Sequence, residues 1–315
     1  MRIKKGDLMP TRRVIGFLLI SVVLATPALA QNKKTMSVID LLNVPNLTAA
    51  QLSPDGNQIV FVLAKPDWKL GKRVSHVWRV RADGTGMVQL TNGTEGEQEP
   101  RWSPDGLQVA FVAKRGDDKN EQIYILPSQG GEARRLTTHE TAVSNIAWSR
   151  DGASIYFIAA DAKSKEEKDK DEVKDDVFAF DENFKHRHLW NVGFDNASEK
   201  RLTSGDSSIL QYSVSRSGKK IAFQRATSPL IDDSDEGEVW IMDSDGSNGL
   251  QLTRNSLAEA GAIVSPDDSS VLYVSDTNEK LESYFNGKLF VVPASGGSPK
   301  LLLGELAKQQ LRAAA

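Results

Sequence analysis

The sequence of 315 residues contains no cysteine. A protein without cysteine forms no disulfides, so its stability must come from a packed core, which a chain of this length can build. The formal net charge is −3, and nothing in this charge suggests a nucleic-acid partner, which would require a basic surface. No serine stands in a Gly-x-Ser-x-Gly pattern, so the nucleophile motif of α/β-hydrolases is missing.

Long apolar runs are also missing, with one exception near the N-terminus. Residues 14–25 are mostly apolar, follow five basic residues and precede Ala28-Leu29-Ala30. Such a run is too short to span a bilayer, which takes about 20 residues, and it is typical of a secretory signal peptide rather than a membrane anchor. We therefore expect cleavage after Ala30 and a periplasmic or secreted protein with no stable membrane span.

Removal of residues 1–30 leaves 34 basic and 41 acidic residues, a net charge of −7. This charge balance adds to the argument against a nucleic-acid partner.

Five copies of a short turn motif divide the rest of the chain. The copies begin at Ser53, Ser103, Ser149, Ser215 and Ser265, at spacings of 50, 46, 66 and 50 residues. The first two read Ser-Pro-Asp-Gly, which suits the four positions of a type I turn. Each copy is followed by two runs with the composition of β-strands. A closing pair ends each unit: Leu90-Thr91, Leu136-Thr137, Leu202-Thr203, Leu252-Thr253 and the degenerate Leu302-Leu303.

These repeats predict an all-β protein, a β-propeller of four-stranded antiparallel blades. The propeller is expected to occupy residues 47–304, after a lead-in segment at 31–46 that includes a short helix, and to be followed by a tail at 305–315. Five blades are present. No strand is left over to join the last blade to the first, so we expect an incomplete ring with exposed apolar faces.

The third repeat contains a long insertion at residues 161–187. A run without any apolar residue occupies 163–172, and such a run buries too little surface to offset the entropy of ordering. The sequence therefore predicts a solvated, mobile and disposable loop at 161–175, followed by an extra strand at 176–180.

Several residues were considered as functional sites and given structural roles. His186 and His188 lie two apart on a predicted strand, but no third metal ligand is evident from spacing. The segment 243–248 has part of a calcium-loop pattern without the downstream bidentate glutamate, which favours a plain turn. The turn serines are expected to cap turns. Five tryptophans recur at repeat positions and are expected to be core: Trp78, Trp102, Trp148, Trp190 and Trp240.

We predict no catalytic residue, no metal site and no cofactor, and we leave the substrate-binding residues open.

The turn repeats and the Leu-Thr endings together resemble the N-terminal propeller of the prolyl oligopeptidase family of serine peptidases. Residues 40–56 look like that family's entry into its first blade, and residues 176–190 are similar to a mid-propeller segment of acylaminoacyl-peptidase-like members. The resemblance covers about residues 38–304. TolB-like periplasmic propellers share the blade motif and are the second resemblance.

The resemblance implies a propeller that limits access to a hydrolase domain and helps to bind peptides. That domain is expected to be absent from this chain, because its nucleophile motif is missing and the family's propellers have more than five blades. Glu166-Glu167 lacks the sequence context of the glutamate pair that binds substrate amines in the dipeptidyl peptidase branch. The predicted function is a non-catalytic periplasmic propeller whose partners are peptides or, in the TolB-like alternative, envelope proteins. No residue set favours a third class, a small-ligand or carbohydrate-binding propeller.

Overall fold

The computed structural model describes residues 35–175, 177, 179, 182–255, 257–276 and 287–302. The predicted signal peptide, the tail at 305–315 and most of the predicted extra strand at 176–180 lie outside these residues. The chain divides into two compact units, Met1–Leu41 and Leu42–Ala315. Among the described residues, no helix is long and apolar enough to cross a membrane.

Strands dominate the described residues. The helices are α1 Val38–Leu42, α2 Lys165–Glu172 and α3 Ile231–Ser234. The strands are β1 Asn46–Leu52, β2 Gln58–Asp67, β3 Lys72–Arg81, β4 Val88–Gln89, β5 Glu97–Trp102, β6 Gln108–Ala113, β7 Gln122–Pro127, β8 Arg134–Arg135, β9 Val143–Trp148 and β10 Ser154–Ala160. They continue with β11 Arg187–Gly193, β12 Glu199–Arg201, β13 Ser208–Val214, β14 Lys220–Ala226, β15 Glu238–Asp243, β16 Leu250–Gln251, β17 Glu259–Val264, β18 Ser270–Ser275, β19 Lys288–Pro293 and β20 Lys300–Leu301.

The strands form five separate four-stranded sheets in which each strand is hydrogen-bonded to its neighbours along the chain. Every pairing is antiparallel. We name the sheets blades 1 to 5; they are β1–β4, β5–β8, β9–β12, β13–β16 and β17–β20. The predicted all-β propeller with five four-stranded blades is confirmed.

The turn between the first and second strands of each blade is built around its serine. In blade 1 the Ser53 hydroxyl donates to the Asp55 carboxylate and accepts a bond from the Gln58 amide at 2.9 Å. Gly56 has a φ of 75°, a left-handed conformation that glycine adopts without strain. The serine hydroxyl also holds the pKa of Asp55 below its usual value. The corresponding serine accepts the same backbone bond in every other blade: Ser103, Ser149, Ser215 and Ser265.

The Leu-Thr pair closes each blade by binding its third strand. In blade 1 the Leu90 amide donates to the Val77 carbonyl, and the Thr91 hydroxyl accepts a bond from the Val77 amide at 2.9 Å. The threonine therefore extends the ladder where the short fourth strand ends. The same threonine bond recurs at Thr137, Thr203 and Thr253. In the degenerate fifth copy the Leu302 amide still donates to the Leu289 carbonyl.

Apolar side chains between successive blades form the core. Phe157 of blade 3 packs with Ile123 and Ile125 of blade 2, while Tyr273 of blade 5 packs with Val239 of blade 4. Burial of these apolar side chains supplies the main driving force for folding. Each blade therefore depends on its neighbours, as the repeat predicts.

The first strand of blade 1 lacks such cover. All residues of β1 are exposed except Gln51, which is half-buried. The first strands of blades 2 and 3 instead bury alternate residues. Among the described strands, none of blade 1 is hydrogen-bonded to a strand of blade 5. The described blades are thus not joined into a ring by a shared strand, as the sequence predicts.

The prediction of a structureless loop at 161–175 was wrong for its charged run, which forms helix α2. Ser164 caps the helix in a reciprocal capping box with Glu167, an arrangement that satisfies two otherwise unpaired amides. Ion pairs of Glu167 with Lys185 and of Lys168 with Glu140 attach the helix to the blade. None of its residues is buried, so the apolar burial that the sequence argument required is indeed missing.

Candidate functional site

The first strand of every blade contains a bulge near its middle, where the pairing with the second strand skips residues. Ala49, Glu99 and Asn145 adopt positive φ values of 51°, 53° and 52° there, and Gly261 has a φ of 63° in blade 5. A positive φ is uncommon for residues other than glycine. Bulges bend a strand and redirect its side chains, and they are frequent near functional sites.

The bulges link neighbouring first strands. The Ile146 amide of blade 3 donates to the Glu99 carboxylate of blade 2 at 3.0 Å, and Arg101 Nε donates to the Ile146 carbonyl at 2.9 Å. The Tyr212 hydroxyl of blade 4 donates to the Asn145 carbonyl at 2.6 Å. Side chains and carbonyls of blades 2 to 4 therefore hold the first strands side by side.

A cavity of about 480 Å³ lies where these first strands end. Its lining includes apolar, aromatic and basic side chains, among them Leu52, Arg101, Trp102, Trp148, Arg150 and Val214. This volume is within the range of small-ligand pockets. We take this cavity, called the first-strand cavity below, as the candidate binding site.

The two tryptophans of the first-strand cavity are fixed through their indole nitrogens. Trp102 Nε1 donates to the Gln51 carbonyl at 3.3 Å, and Trp148 Nε1 donates to the Arg101 carbonyl at 3.1 Å. Each acceptor belongs to the first strand of the preceding blade. A buried indole that satisfies its only donor in this way presents a rigid apolar surface to a ligand.

The two arginines of the first-strand cavity have no carboxylate partner among the described residues. Arg101 uses Nε and Nη1 for backbone carbonyls, and Nη2 has no described hydrogen-bond partner. Arg150 donates from Nε to the Ser215 carbonyl at 3.4 Å. The neighbouring Asp151 is held in its turn by the Ser149 hydroxyl, which lowers its pKa. The cavity therefore offers guanidinium groups to an anion, for which arginine geometry is well suited.

The turn serines lie in the positions that the sequence predicts and cap their turns. The described bonds of their hydroxyls, including those of Ser103 and Ser149, go to turn aspartates, to Ser217 in blade 4 and to backbone groups, and no histidine contacts them. A serine hydroxyl that is bonded to its own turn aspartate and accepts a backbone bond is engaged in holding the turn. These contacts support the turn-cap role.

His186 lies just before β11 and His188 lies on it, with ring centroids 6.4 Å apart. His186 Nδ1 lies 3.3 Å from the Ser208 hydroxyl, and His188 Nε2 lies 3.3 Å from Asp161 Oδ2. Burial, together with Arg201, lowers the pKa of His188. Within the described ranges these histidines are not part of a group of three metal-ligating side chains.

The segment 243–248 forms a hairpin turn, as favoured from the sequence. The Gly246 amide donates to the Asp243 carbonyl, and the Asp243 carboxylate forms an ion pair with Lys220 at 2.7 Å. Glu166 and Glu167 lie on helix α2, where Glu167 binds the Ser164 amide and Lys185. Neither segment contributes to the first-strand cavity.

The five recurring tryptophans occupy two kinds of position within a blade, the end of the first strand or the third strand. Trp102 and Trp148 end first strands and are 8% and 9% exposed. The others lie on third strands, paired directly with a phenylalanine of the second strand: Trp78, Trp190 and Trp240. All five pack within or between blades, but the first two also line the first-strand cavity.

A buried glutamate begins the first strand of blade 2 and another begins that of blade 5. Glu97 accepts bonds from Thr91, His76, Arg115 and the Gly93 amide. Burial alone would raise its pKa, but these donors outweigh burial and hold the pKa below its usual value. Glu97 is therefore an ionised link between blades 1 and 2.

Glu259 occupies the equivalent position in blade 5, but its pKa is raised rather than lowered. It accepts bonds from Thr253 at 2.6 Å and from Asn255 at 2.9 Å, but Glu238 stands where blade 1 has His76. Burial, with a further contribution from Glu238, raises the pKa of Glu259 to about 7. A carboxyl group that keeps its proton near neutral pH thus joins blades 4 and 5.

Sequence reasoning did not identify Arg101 and Arg150 as candidate binding residues. Arg101 precedes Trp102 and Arg150 follows Ser149. The repeat explains this tryptophan and this serine by structural roles, which drew attention away from the arginines. Arg150 does replace the proline of the Ser-Pro-Asp-Gly motif, but Arg216 does so as well and is absent from the cavity lining. The motif alone therefore does not show which of the two arginines lines the cavity.

Comparison with known families and sequences shows which proteins this chain is similar to. The family described as "TolB beta propeller domain" matches residues 29–182. The uncharacterized peptidase YuxL of Bacillus subtilis is 28% identical over 224 residues, which cover 67% of this chain and 34% of that protein. Dipeptidyl-peptidase 5 of Porphyromonas endodontalis is 24% identical over 280 residues, covering 84% of this chain and 39% of that protein. The chain thus spans between about a third and two fifths of the length of these relatives.

Solved structures agree in fold. A putative TolB from Agrobacterium tumefaciens has a TM-score of 0.55 at 20% identity, covering 82% of this chain and 81% of that one. Acylaminoacyl peptidase of Pyrococcus horikoshii has a TM-score of 0.59 at 15% identity, covering 84% of this chain and 40% of that one. The resemblance to TolB-like propellers and to the propellers of peptidases is confirmed.

Proposed function

We propose that this TolB-like β-propeller, whose sequence relatives include peptidases, is a non-catalytic domain that binds peptides through the first-strand cavity. The observation that carries the proposal is the pairing of rigid indoles with two arginines for which the described residues supply no carboxylate partner. An extended peptide offers apolar side chains to the indoles and a carboxylate to the arginines. Its C-terminal carboxylate is the anion that every such peptide carries.

The proposed role is admission and positioning of peptides rather than their hydrolysis. The sequence holds no Gly-x-Ser-x-Gly motif, and the described turn serines contact no histidine. The sequence similarity to a dipeptidyl peptidase supports peptides as the ligands of this chain. The apolar run before Ala30 supports an exported protein, and an exported protein would encounter extracellular peptides.

Calorimetric titration with a short apolar peptide tests the proposal. The peptide with a free C-terminal carboxylate should bind at least about tenfold more tightly than its C-terminal amide, because the amide cannot form a charge-assisted bond. Replacing Arg150→Gln should remove this preference.

Arg216→Gln is the matched control, because Arg216 has the same turn position in blade 4 but is absent from the cavity lining. This variant should bind like the parent protein. Equal affinity for both peptides, or an equal effect of the two substitutions, would contradict the proposed role of the cavity.

A TolB-like role as a module that binds envelope proteins is a second candidate. It is favoured by the family match over residues 29–182 and by the TolB structure, most of whose length is covered. Binding to a purified folded envelope protein, without measurable affinity for short peptides, is the result that distinguishes it.

A further inference from the structure

The first strand of each blade has one edge that faces away from the rest of its sheet. Within the described sheets, this strand pairs with the second strand only. In an antiparallel ladder the backbone groups of alternate residues point away from the partner strand. On a first strand these groups point to the free edge, so their hydrogen bonds must come from side chains, from water or from a ligand.

One position on this edge recurs in blades 2 to 5, and we call it the edge position. It is the third-to-last residue of the first strand: Pro100, Ile146, Tyr212 and Ala262. In blades 2, 3 and 5 its carbonyl accepts a bond from a side chain. Arg101 donates from Nη1 to the Pro100 carbonyl at 3.0 Å and from Nε to the Ile146 carbonyl at 2.9 Å. The Ser213 hydroxyl donates to the Ala262 carbonyl.

The edge position of blade 4 differs from the other three. Tyr212 pairs with Phe223, and the Ser215 amide donates to the Lys220 carbonyl three residues further along the strand. This register places Tyr212 where backbone groups point away from β14. Within the described residues, no side chain bonds to its amide or its carbonyl. The residue itself is held in place, because its hydroxyl donates to the Asn145 carbonyl of blade 3 at 2.6 Å.

The cause of this difference lies in blade 3. The donors Arg101 and Ser213 are next-to-last residues of their first strands, and each reaches the edge position of the following blade. Blade 3 has Ala147 at the next-to-last position, and alanine has no side-chain donor. Ala147 and Val214 both line the first-strand cavity. The backbone groups of Tyr212, two residues before Val214, therefore adjoin the candidate binding site.

We propose that the amide and carbonyl of Tyr212 bind the main chain of a peptide in the first-strand cavity. This inference rests on the proposed function and concerns the part of the ligand that the indoles and arginines leave unrecognised. An extended peptide offers N–H and C=O groups to a strand edge, and such bonds give affinity that does not depend on the side chains of the peptide. The ligand class is therefore an extended peptide rather than any apolar carboxylate.

Calorimetric titration with ester analogues of a short apolar peptide tests the inference. Each amide near the free C-terminal carboxylate is replaced in turn by an ester, which removes one N–H donor and keeps the shape of the main chain. One of these analogues should bind about fivefold more weakly than the peptide, which is the effect of a single hydrogen bond. The same analogue should keep the preference for a free carboxylate over a C-terminal amide.

Ala147→Ser gives the matching change in the protein. It supplies the kind of donor that Ser213 provides to Ala262, so the new hydroxyl competes with the ligand for the Tyr212 carbonyl. The variant should bind the peptide about fivefold more weakly and should lose the difference between the peptide and its ester, because the two changes remove the same bond. Ala153→Ser is the control, since Ala153 is exposed in the turn of blade 3 and is absent from the cavity lining. Urea unfolding of both variants checks that they are folded.

The outcomes separate this inference from the proposed function. A peptide that keeps its carboxylate preference but binds as tightly as every ester analogue would show that Tyr212 does not bind its main chain, while the proposed function would stand. An ester effect of equal size in the parent and in folded Ala147→Ser protein would also overturn the inference. Loss of the carboxylate preference itself would contradict the proposed function, and the inference would fail with it.

Discussion

The pKa of Glu97 is lowered in the folded protein and the pKa of Glu259 is raised. This difference leads to our most direct prediction about stability. Both glutamates begin a first strand, are almost fully buried, and accept a bond from the Leu-Thr threonine of the preceding blade. Within the described part of the chain, Glu97 contacts the Arg115 guanidinium and the His76 imidazole, and no such partner is described for Glu259. Replacement by glutamine keeps the size of the side chain and removes its charge, so the two substitutions should act in opposite directions.

For Glu259, the folded protein favours the protonated form. The pKa rises from 4.5 in the unfolded chain to about 7, so the protein loses stability as pH increases between these values. The difference corresponds to at most about 3 kcal/mol. Glu259→Gln removes this loss. The variant should therefore gain stability relative to the parent on going from pH 4.5 to pH 8, by an amount on that order.

For Glu97, the folded protein favours the ionised form. The lowered pKa contributes stability above the unfolded value of 4.5, which is lost as pH falls through the folded value. Glu97→Gln leaves Arg115 and His76 without their anion, and breaking a buried pair in this way costs about 3 kcal/mol. This variant should be less stable than the parent at pH 7, and the difference should shrink in acid.

Urea unfolding at a series of pH values measures both effects. The useful quantity is the stability of each variant minus that of the parent, because titration of groups shared by both proteins cancels. A Glu259→Gln difference that stays constant from pH 4.5 to pH 8 would refute the assignment of a neutral Glu259. A Glu97→Gln protein as stable as the parent at pH 7 would refute the ionised link between blades 1 and 2.

Three further predictions follow from other parts of the chain. A fluorophosphonate probe should label no serine in the purified protein, and labelling of a single serine would contradict the non-catalytic assignment. Mass spectrometry of exported protein should find an N-terminus directly after Ala30; material that begins at Met1 would contradict the signal peptide. Deletion of residues 163–172 should lower the melting temperature by less than about 3 °C, since only surface ion pairs are lost; a larger loss would show that α2 supports the propeller.

The blade architecture could be predicted because its determinants are local. A turn such as Ser53 to Gly56 depends on bonds within six residues, and strand periodicity is visible in a few neighbouring positions. The Leu-Thr pair binds the third strand of its own blade, 14 residues away at Thr91 and Val77. Repetition of these short-range signals was sufficient to establish five blades and their order.

Helix α2 shows where composition misled the prediction. The charged run offers no apolar surface to bury, which correctly predicted an exposed segment. The capping box of Ser164 and Glu167 and the distant ion pair of Lys168 with Glu140 nevertheless favour a helix. The capping box was present in the sequence as Ser-x-x-Glu, but the ion pair depends on a residue 28 positions earlier.

Tertiary structure alone decided the candidate site and the charge states. Ala49 and Glu99 give no sequence signal for a positive φ, because the bulges are stabilised by neighbouring first strands. Arg150 and Arg216 have the same motif position, yet only Arg150 lines the cavity. Glu97 and Glu259 differ in pKa because blades bring different side chains to them from 18 to 21 residues away. Backbone conformation in the turns and strands depends on consecutive residues, so the sequence alone predicts it. The burial and the pKa of a side chain depend instead on which distant residues the packing of the blades brings close to it.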